Sequence, residues 1–356
     1  MSEQTAIARE LAAADRHDGV GEHGQAIDCL ARATRAGSVE AMTRLAKRLI
    51  AGDRAPALPT QGAGLLVDAA RAGGADAAAS LSVLLALGAH VPQSWPGAFE
   101  ALGVAAEREW EPARRQLLVL MPDHPLTREI QRPGASANSW RRLATEAAQA
   151  ESQWAPAVAT PWPGSPVNTI EHLLHSEVCG WLIERSHGKL ARARVYDSIA
   201  GTDRVHATRA NTAAVFNLVD AQFVHVLVQS RMARACGIPL SHMEPLTILH
   251  YATGEQVRDH FDFVDPQSPH YAEELSRHGQ RRATFLIYLN EEYSSGETDF
   301  PKLGIRFKGR TGTGLLFLNA GEDDAPDLRM LHAGLPPSAG EKWLASQFIR
   351  SRRTIG

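Results

Sequence analysis

The most restrictive feature of this 356-residue chain is a 36-residue periodicity in its first third. Four apolar columns each recur three times at this interval: Leu30, Leu66 and Leu102; Ala33, Ala69 and Ala105; Ala41, Ala77 and Ala113; Leu45, Leu81 and Leu117. A constant period of about 20–50 residues is the signature of a repeat architecture. One repeat cannot bury its apolar face alone, so neighbouring repeats must stack. The periodicity therefore predicts a helical solenoid.

Each copy of the repeat has the apolar spacing of two short helices joined by a turn. Gly37 and Gly73 occupy equivalent positions and suit the left-handed residue that ends a helix. Glu109 stands at this position in the third copy, which we expect to be a terminal repeat. The pattern resembles Sel1-like repeats, which are relatives of tetratricopeptide repeats. Two roles stay open: a docking surface for a protein partner, or a helical cap that supports the second domain.

The rest of the chain has a different composition and a different pattern of apolar residues. Residues 131–169 are rich in Pro, Gly, Ser and Ala and predict a linker with one helix from Ser139, and a further helix is predicted over 170–185. Short runs with β-branched and aromatic residues then follow at 247–251, 283–290, 305–308, 315–319 and 343–350. Glycine and proline separate these runs, which favours an antiparallel sandwich or jelly roll.

The predicted fold class is therefore α+β and multidomain. An α-helical repeat domain is expected over 1–130, and a β-rich domain with flanking helices over 170–356.

Composition and charge exclude several classes of protein. The 37 Lys and Arg residues nearly balance the 40 Asp and Glu residues, and the net charge of −3 gives no reason to expect nucleic acid as a partner. No window approaches 18 consecutive apolar residues, so no membrane span is expected. The charged N-terminus lacks a secretory signal, and the three distant cysteines predict neither disulfides nor a thiolate zinc site. We expect a cytoplasmic protein.

A His-x-Asp pair is the candidate metal motif. Composition alone predicts roughly 1.7 cases of His-x-Asp/Glu in this chain, and the sequence contains three: His175 with Glu177, His242 with Glu244, and His260 with Asp262. The first falls in a predicted helix, and the second is followed at once by Pro245. Only the third lies in strand-like sequence, where residues two apart point to one face. One further histidine would complete a facial triad of the kind that holds non-haem Fe(II).

His332 is the candidate third ligand, because it lies in a short strand-like segment near the end of the domain. Lys342 begins the last predicted strand ten residues later. We expect the two segments to be neighbouring antiparallel strands that carry both side chains on one inner face. The lysine there could hold the distal carboxylate of a dicarboxylic cosubstrate as a point charge.

Seven motifs occur in an order that resembles a known family. They are Tyr251-x-x-Gly254-x-Gln256, His260-x-Asp262, Gln280-Arg281-x-x-Thr284, Tyr288-Leu289-Asn290, Gly296-Glu297-Thr298-x-Phe300-Pro301, His332-Ala333-Gly334 and Gly340-x-Lys342-Trp343. Together they resemble the prolyl 4-hydroxylase branch of the 2-oxoglutarate/Fe(II) dioxygenases over about residues 170–352. The resemblance implies a double-stranded β-helix that uses Fe(II), 2-oxoglutarate and O2, with ascorbate as reductant.

The resemblance also assigns site residues. His260, Asp262 and His332 match the iron ligands, Lys342 matches the anchor of 2-oxoglutarate, and Tyr251, Tyr288 and Thr298 match positions in the cosubstrate pocket. Arg209 and Asn211 resemble a substrate loop, although the family usually has serine in place of Asn211. Arg281 and Trp343 are further candidates for substrate binding, and both arginines could bind a substrate carboxylate through paired hydrogen bonds.

The implied activity is hydroxylation of an unactivated C–H of a proline-like unit, with succinate and CO2 as co-products. The substrate is either prolyl within a peptide or a free amino or imino acid such as proline or pipecolate. One alternative is a non-enzymatic interaction protein whose jelly roll binds a metal. Another is a zinc-dependent cupin-like hydrolase or isomerase, which would explain the triad but not Lys342.

Overall fold

A computed structural model of the chain describes residues 3–132, 136–162, 164–192, 195–197, 202–204 and 210–354. Contacts divide the chain into two compact units. The first unit comprises residues 1–154 with 218–226, and the second comprises 155–217 with 227–356. None of the helices within the described ranges is long and apolar enough to cross a membrane.

The first unit is made of helices that repeat at the predicted interval. They are α1 (Glu3–Gly19), α2 (His23–Arg35), α3 (Val39–Ala51), α4 (Pro59–Arg71), α5 (Ala75–Leu87), α6 (Trp95–Glu107), α7 (Glu111–Leu120), α8 (Pro125–Ile130) and α9 (Ser139–Gln153). Helices α2, α4 and α6 begin 36 residues apart, and so do α3, α5 and α7. All twelve column residues except the partly exposed Leu81 are buried. The prediction of stacked helix pairs is confirmed.

The turns inside the helix pairs show why glycine is common there. Gly37 and Gly73 have φ angles of 81° and 104°, in the left-handed region that glycine adopts without steric cost. Glu109 takes the equivalent turn in the third copy with a φ of 65°. The same left-handed turn therefore forms in the third copy, although glutamate replaces glycine there. The docking and capping roles of these repeats both stay predictions.

The second unit is rich in antiparallel strands. They are β1 (Thr160–Pro161), β2 (Val167–Ile170), β3 (Ala191–Arg192), β4 (Val195–Asp197), β5 (Thr202–Arg204), β6 (Thr212–Phe216), β7 (Leu246–Tyr251), β8 (Val257–His260), β9 (Arg281–Tyr288), β10 (Ser294–Ser295), β11 (Thr298–Phe300), β12 (Ile305–Phe307), β13 (Gly314–Leu318), β14 (His332–Gly334), β15 (Pro337–Ala339) and β16 (Lys342–Arg350). Among the described residues this part of the chain also has the α-helices α10 (Ser176–Ser186), α11 (Phe223–Cys236) and α12 (Ala272–His278), of which α11 begins in the 218–226 segment of the first unit.

The strands form two principal sheets. One has eight strands in the order β1-β2-β13-β9-β16-β7-β6-β3, and the other has four in the order β12-β11-β14-β8. A shared apolar core contains residues of both sheets, among them Tyr288 and Phe317 of the first and Phe300 and Ile305 of the second. The α+β class with a jelly-roll domain is confirmed.

The helix predicted over 170–185 begins later than the sequence pattern indicates. Ile170 is the last residue of β2 and pairs with Gly314 of β13, so the α-helix starts only at Ser176. Pairing with β13 satisfies the backbone hydrogen-bonding groups of Ile170. A helix that started at Ile170 would lose these sheet hydrogen bonds. Strand β2 also shows that the second unit starts its sheet before residue 170.

Candidate active site

Two histidines face each other across a strand pair. His260 ends β8 and pairs with His332, which begins β14, and their ring centroids are 4.3 Å apart. The Nδ1 atoms of His260 and His332 lie 2.8 and 3.0 Å from the carbonyl oxygens of Arg258 and Met330. A carbonyl only accepts, so each Nδ1 carries the proton and donates it. Each Nε2 is thereby left with a lone pair for a metal ion.

Asp262 completes the cluster. Its Oδ1 lies 3.4 Å from Nε2 of His260, and its Oδ2 lies 3.4 Å from Nε2 of His332. One ligand atom from each of the three residues lies within 4.8 Å of the others. Burial alone would raise the pKa of Asp262, but His332 and His260 in their protonated forms lower it well below its ordinary value, and a metal ion on the two Nε2 atoms would supply positive charge in place of those protons. The carboxylate therefore stays charged, and the donor set fits a divalent cation such as Fe(II).

Lys342 lies in the same pocket at the start of β16. It is fully buried, and within the described part of the chain its Nζ has no hydrogen-bond partner. The rings of Tyr251 and Tyr288 lie close to it, with centroids 5.0 and 5.9 Å from Nζ. Burial lowers the pKa of Lys342 to about 7, and Glu297 opposes this shift. Such an ammonium group suits an anionic ligand that enters the pocket.

His332 and Lys342 were expected on neighbouring strands, and this detail is wrong. Strand β14 pairs with β8 and β11 of the smaller sheet, whereas β16 pairs with β7 and β9 of the larger one. Both side chains nevertheless line one cavity of about 380 Å³. The two residues therefore meet because two sheets face each other.

The three predicted cosubstrate residues have different positions. Tyr251 and Thr298 line the cavity with Lys342. Tyr288 lies behind Thr298: its hydroxyl is 2.7 Å from Thr298 Oγ1 and donates to the Phe307 carbonyl at 3.1 Å. Tyr288 thus supports the pocket wall through Thr298.

The cavity has apolar walls that sequence reasoning did not identify. On β16, Leu344, Ser346 and Phe348 line it together with Lys342, since alternate residues of a strand point to one face. The same alternation on the neighbouring strands adds Leu249 and Leu286. Period-two counting from Lys342 was the signal that could have found the β16 residues.

The same alternation excludes Trp343 from the cavity. Trp343 lies on the opposite face of β16, where its ring packs at 4.3 Å from the ring of His250 and 5.1 Å from that of His187. The structure therefore does not bring Trp343 to the candidate site.

Arg281 is near the site but already paired. Its Nε and Nη2 donate to the two carboxylate oxygens of Glu244 at 2.8 and 2.9 Å, and its guanidinium stacks on Phe348 at 4.0 Å. Arg350 also donates to Glu244. Burial alone would raise the pKa of Glu244, but the two arginines lower it. Arg281 and Glu244 thus belong to a structural ion-pair network.

The remaining two candidates differ in what can be said of them. Asn211 is fully buried and lines the cavity, where its Nδ2 donates to the carbonyl of Thr212 at 3.2 Å. Its Oδ1 has no hydrogen-bond partner within the described residues. Arg209 lies outside the described residues.

A second, larger cavity of about 980 Å³ adjoins the first. Phe348 lines both cavities, and Phe261 of the second stands between the candidate ligands His260 and Asp262 in the chain. Its walls combine aromatic rings, among them Phe261 and Phe263 with centroids 4.7 Å apart, with charged and polar side chains such as Asp265, Gln267 and Glu274. Arg281 is the one arginine of its lining.

Comparisons with known proteins agree on one family. Residues 246–350 match the model of the 2OG-Fe(II) oxygenase superfamily. A prolyl 4-hydroxylase homologue of Acanthamoeba polyphaga mimivirus is 30% identical over 185 residues, which cover 52% of this chain and 74% of the viral protein.

Two solved structures are similar to parts of the chain. A viral collagen prolyl hydroxylase from Paramecium Bursaria Chlorella virus-1, in complex with 2OG, has a TM-score of 0.41 and 27% identity and covers 52% of this chain and 97% of its own. A Sel1 repeat protein from Oxalobacter formigenes has a TM-score of 0.31 and 19% identity and covers 41% of this chain and 59% of its own.

The relationship to the mimivirus protein decides between the hydroxylase prediction and its two alternatives. The matched family is that of the 2OG-Fe(II) oxygenases, so its cofactor and cosubstrate, Fe(II) and 2-oxoglutarate, are the ones that the sequence predicts. The chain belongs to the 2OG-Fe(II) oxygenase superfamily and is a dioxygenase homologous to the prolyl 4-hydroxylases.

Proposed function

We propose that the chain hydroxylates a prolyl residue within a peptide or protein. One observation carries the proposal: a single cavity contains both the His260–Asp262–His332 cluster and the buried Lys342 ammonium, which has no hydrogen-bond partner among the described residues. The ligand set suits non-haem Fe(II), and the lysine suits the distal carboxylate of 2-oxoglutarate. We assign Fe(II) to the three ligands and 2-oxoglutarate to Lys342.

The chemistry that Fe(II) supplies when bound is replacement of C–H by C–OH, with O2 consumed and 2-oxoglutarate converted to succinate and CO2. The residues of the chain position the reactants and exclude water. Lys342 neutralises one carboxylate of the cosubstrate, while Tyr251 and Thr298 add hydroxyl groups to the same wall. The apolar side chains of Leu249 and Leu286 keep water from the reacting groups.

A peptide substrate is favoured by the state of the arginines near the site. A free amino acid would bring a carboxylate that needs a cation. Of the arginines in the linings of the two cavities, Arg281 is bound to Glu244 and Arg192 to Glu255. A prolyl residue inside a peptide has neutral amides on both sides and makes no such demand.

The aromatic cavity supports the same choice. A groove of about 980 Å³ beside the metal cluster is larger than a single imino acid requires. Aromatic-lined grooves bind proline-rich segments, because these adopt an extended helix at low entropic cost. We assign the groove around Phe261 and Phe263 to residues that flank the target proline.

The test measures succinate release and the mass gain of one oxygen atom, with Fe(II), ascorbate and 2-oxoglutarate present. The panel is a proline-rich peptide, free proline and free pipecolate. We expect stimulation by the peptide alone. Stimulation by a free acid and not by the peptide would contradict the proposed substrate but leave the dioxygenase assignment intact.

A variant sharpens this test. Phe263→Ala removes one aromatic wall of the groove, so we expect the KM for the peptide to rise while the KM for 2-oxoglutarate stays unchanged. Val158→Ala, at an exposed apolar position, is the matched control and should change neither. An equal rise of both KM values in Phe263→Ala would remove the groove from the proposal.

A further inference from the structure

A chain of buried hydrogen bonds leads away from the candidate ligand Asp262. Thr284 Oγ1 lies 2.8 Å from Asp262 Oδ2, and Asn319 Nδ2 lies 2.8 Å from Thr284 Oγ1. The exposed fractions of Asp262, Thr284 and Asn319 are 6%, 1% and 0%, so bulk water does not compete for these contacts. The mechanism described above uses neither Thr284 nor Asn319.

The direction of these hydrogen bonds follows from the groups themselves. A hydroxyl has one proton, and an ionised carboxylate can only accept. If Thr284 donates to Asp262, its oxygen can still accept a hydrogen bond, and the amide nitrogen of Asn319 supplies it. An amide oxygen facing Thr284 would leave two acceptors competing for one proton. Asn319 therefore orients the hydroxyl of Thr284 toward Asp262.

Both residues are held firmly. Thr284 lies on β9 and is paired with Phe317 of β13 and Phe348 of β16. Its branched side chain restricts rotation about χ1. The backbone of Asn319 donates to the Arg282 carbonyl at 2.7 Å and accepts from the amide of Asp327 at 2.9 Å. Rotating the side chain of Thr284 or Asn319 away from its hydrogen-bond acceptor would therefore cost free energy.

The backbone after Asp262 is fixed as well. The side-chain oxygen of Gln280 accepts from the amide of Val264 at 2.6 Å, and its Nε2 donates to the Val264 carbonyl at 2.8 Å. A hydrogen bond to Oδ2 restricts rotation of the Asp262 carboxylate about its side-chain bonds.

We propose that Thr284, oriented by Asn319, is a positioning residue for the carboxylate of Asp262, an inference that rests on the metal assignment in the proposed function. Partners that hydrogen-bond to a metal ligand typically contribute about 10- to 100-fold to metal affinity. Thr284 thus acts on the metal through Asp262, and Asn319 acts through Thr284.

The experiment titrates the protein with Mn(II) in the absence of 2-oxoglutarate and measures free Mn(II) by electron paramagnetic resonance. Thr284→Val removes the hydroxyl and keeps the shape, and we expect it to weaken Mn(II) binding about 10- to 100-fold. Thr284→Ser restores the hydroxyl and should bind nearly as tightly as the wild type. Asn319→Leu removes only the orienting donor and should lie between the two.

A matched control separates positioning from a general effect on the sheet. Thr169 is a buried threonine on β2 whose hydroxyl, among the described residues, reaches only the Thr160 carbonyl, at 3.5 Å. Thr169→Val should leave Mn(II) affinity unchanged. A merely structural role of Thr284 would lower the melting temperature of Thr284→Val without changing the affinity of the folded protein for Mn(II).

Asp262→Ala distinguishes failure of this inference from failure of the metal assignment. If Asp262→Ala loses Mn(II) and Thr284→Val binds it like the wild type, the positioning role is wrong and the metal site stands. If Asp262→Ala also keeps wild-type affinity, the metal assignment itself is wrong. Should Thr284→Val fail to fold, the decision rests on Asn319→Leu, and unchanged Mn(II) affinity there overturns the proposal that Thr284, oriented by Asn319, positions Asp262.

Discussion

The metal cluster and the Lys342 end of the same cavity differ in how far the protein itself satisfies their polar groups. At the cluster, both imidazole Nδ1 atoms donate to carbonyl oxygens, and Thr284 donates to Asp262. At the other end, Nζ of Lys342 has aromatic faces around it and no hydrogen-bond partner among the described residues. The first region is organised in advance of its ligand, whereas the second depends on its ligand for a partner.

Loss of a metal ligand should give the largest effect. We expect His260→Ala and His332→Ala each to lower turnover by more than about 100-fold, beyond the range typical of residues that only support a ligand. The two should differ in stability, because His332 packs against Phe317 at 4.9 Å and Phe300 at 5.5 Å, whereas the His260 side chain is 25% exposed.

Calorimetry and succinate assays on the same samples check this expectation. His332→Ala should lose about 2 kcal/mol of unfolding free energy through the missing aromatic contacts, and His260→Ala less. Full turnover in either variant would contradict the ligand assignment. Equal losses of unfolding free energy in the two variants would show that the surrounding side chains stabilise the two histidines equally.

Lys342→Met should give the next largest effect. Methionine keeps the volume but removes the ammonium, and a hydrogen bond to a charged group contributes about 1.5–3 kcal/mol, or roughly 10- to 100-fold in affinity. We expect the KM for 2-oxoglutarate to rise by that factor. The variant should also unfold at a higher temperature in the absence of ligand, since it no longer buries an amine without a partner.

Lys302→Met is the control, because Lys302 is exposed, lies over the ring of Phe261 at 5.6 Å and is not part of the lining of the Lys342 cavity. It should leave the KM for 2-oxoglutarate unchanged. An unchanged KM in Lys342→Met would contradict the assigned role of Lys342.

The pH dependence of cosubstrate binding should show a related but smaller effect. Burial lowers the pKa of Lys342 to about 7, so the free protein loses this charge above that pH. A dianionic cosubstrate needs the charged form, and its affinity should therefore fall by up to about tenfold per pH unit above 7. Isothermal titration at pH 7 to 9 tests this, and Lys342→Met should abolish the dependence.

The same shift has a defined sign for stability. In the unfolded chain a lysine keeps its proton up to about pH 10.4, whereas folded Lys342 keeps it only below about 7. The unfolded state then binds more protons between these values, so the unfolding free energy without ligand should rise with pH in that window. A flat profile that matches Lys342→Met would contradict it.

Tyr288→Phe should give the smallest effect. It removes a hydroxyl that contacts Thr298 at 2.7 Å without lining the cavity. A neutral hydrogen bond contributes about 0.5–1.5 kcal/mol, which corresponds to a rise of roughly 2- to 10-fold in the KM for 2-oxoglutarate. A larger rise than that of Lys342→Met would mean that the wall, and not the cation, determines cosubstrate binding.

Sequence periodicity was sufficient to predict the helical repeats and most strands. Leu30 and Leu66 recur at the interval at which whole helix pairs recur, so one column determines the register of the others. The ligands were also predictable, because His260 and Asp262 are two residues apart and the third histidine lies in a family motif.

Side-chain roles were harder to predict where they depend on pairing between distant strands. Arg281 is bound by Glu244, which lies 37 residues earlier, and Trp343 faces away from the cavity although Lys342 faces into it. Thr284 belongs to the motif Gln280-Arg281-x-x-Thr284, yet its role depends on Asn319, 35 residues further on. The local sequence does not give the spatial distance between such positions, because that distance depends on the order of the strands in the sheet.

Thr284 lies on β9, which has β13 on one side and β16 on the other. Backbone amides of interior strands exchange their hydrogens only during the rarest and most extensive openings of a fold. Fraying at the outer strands β1 and β3 therefore leaves the hydrogen bond to Asp262 in place. On heating, release of the bound metal and cooperative melting of the sheet should coincide in a single step.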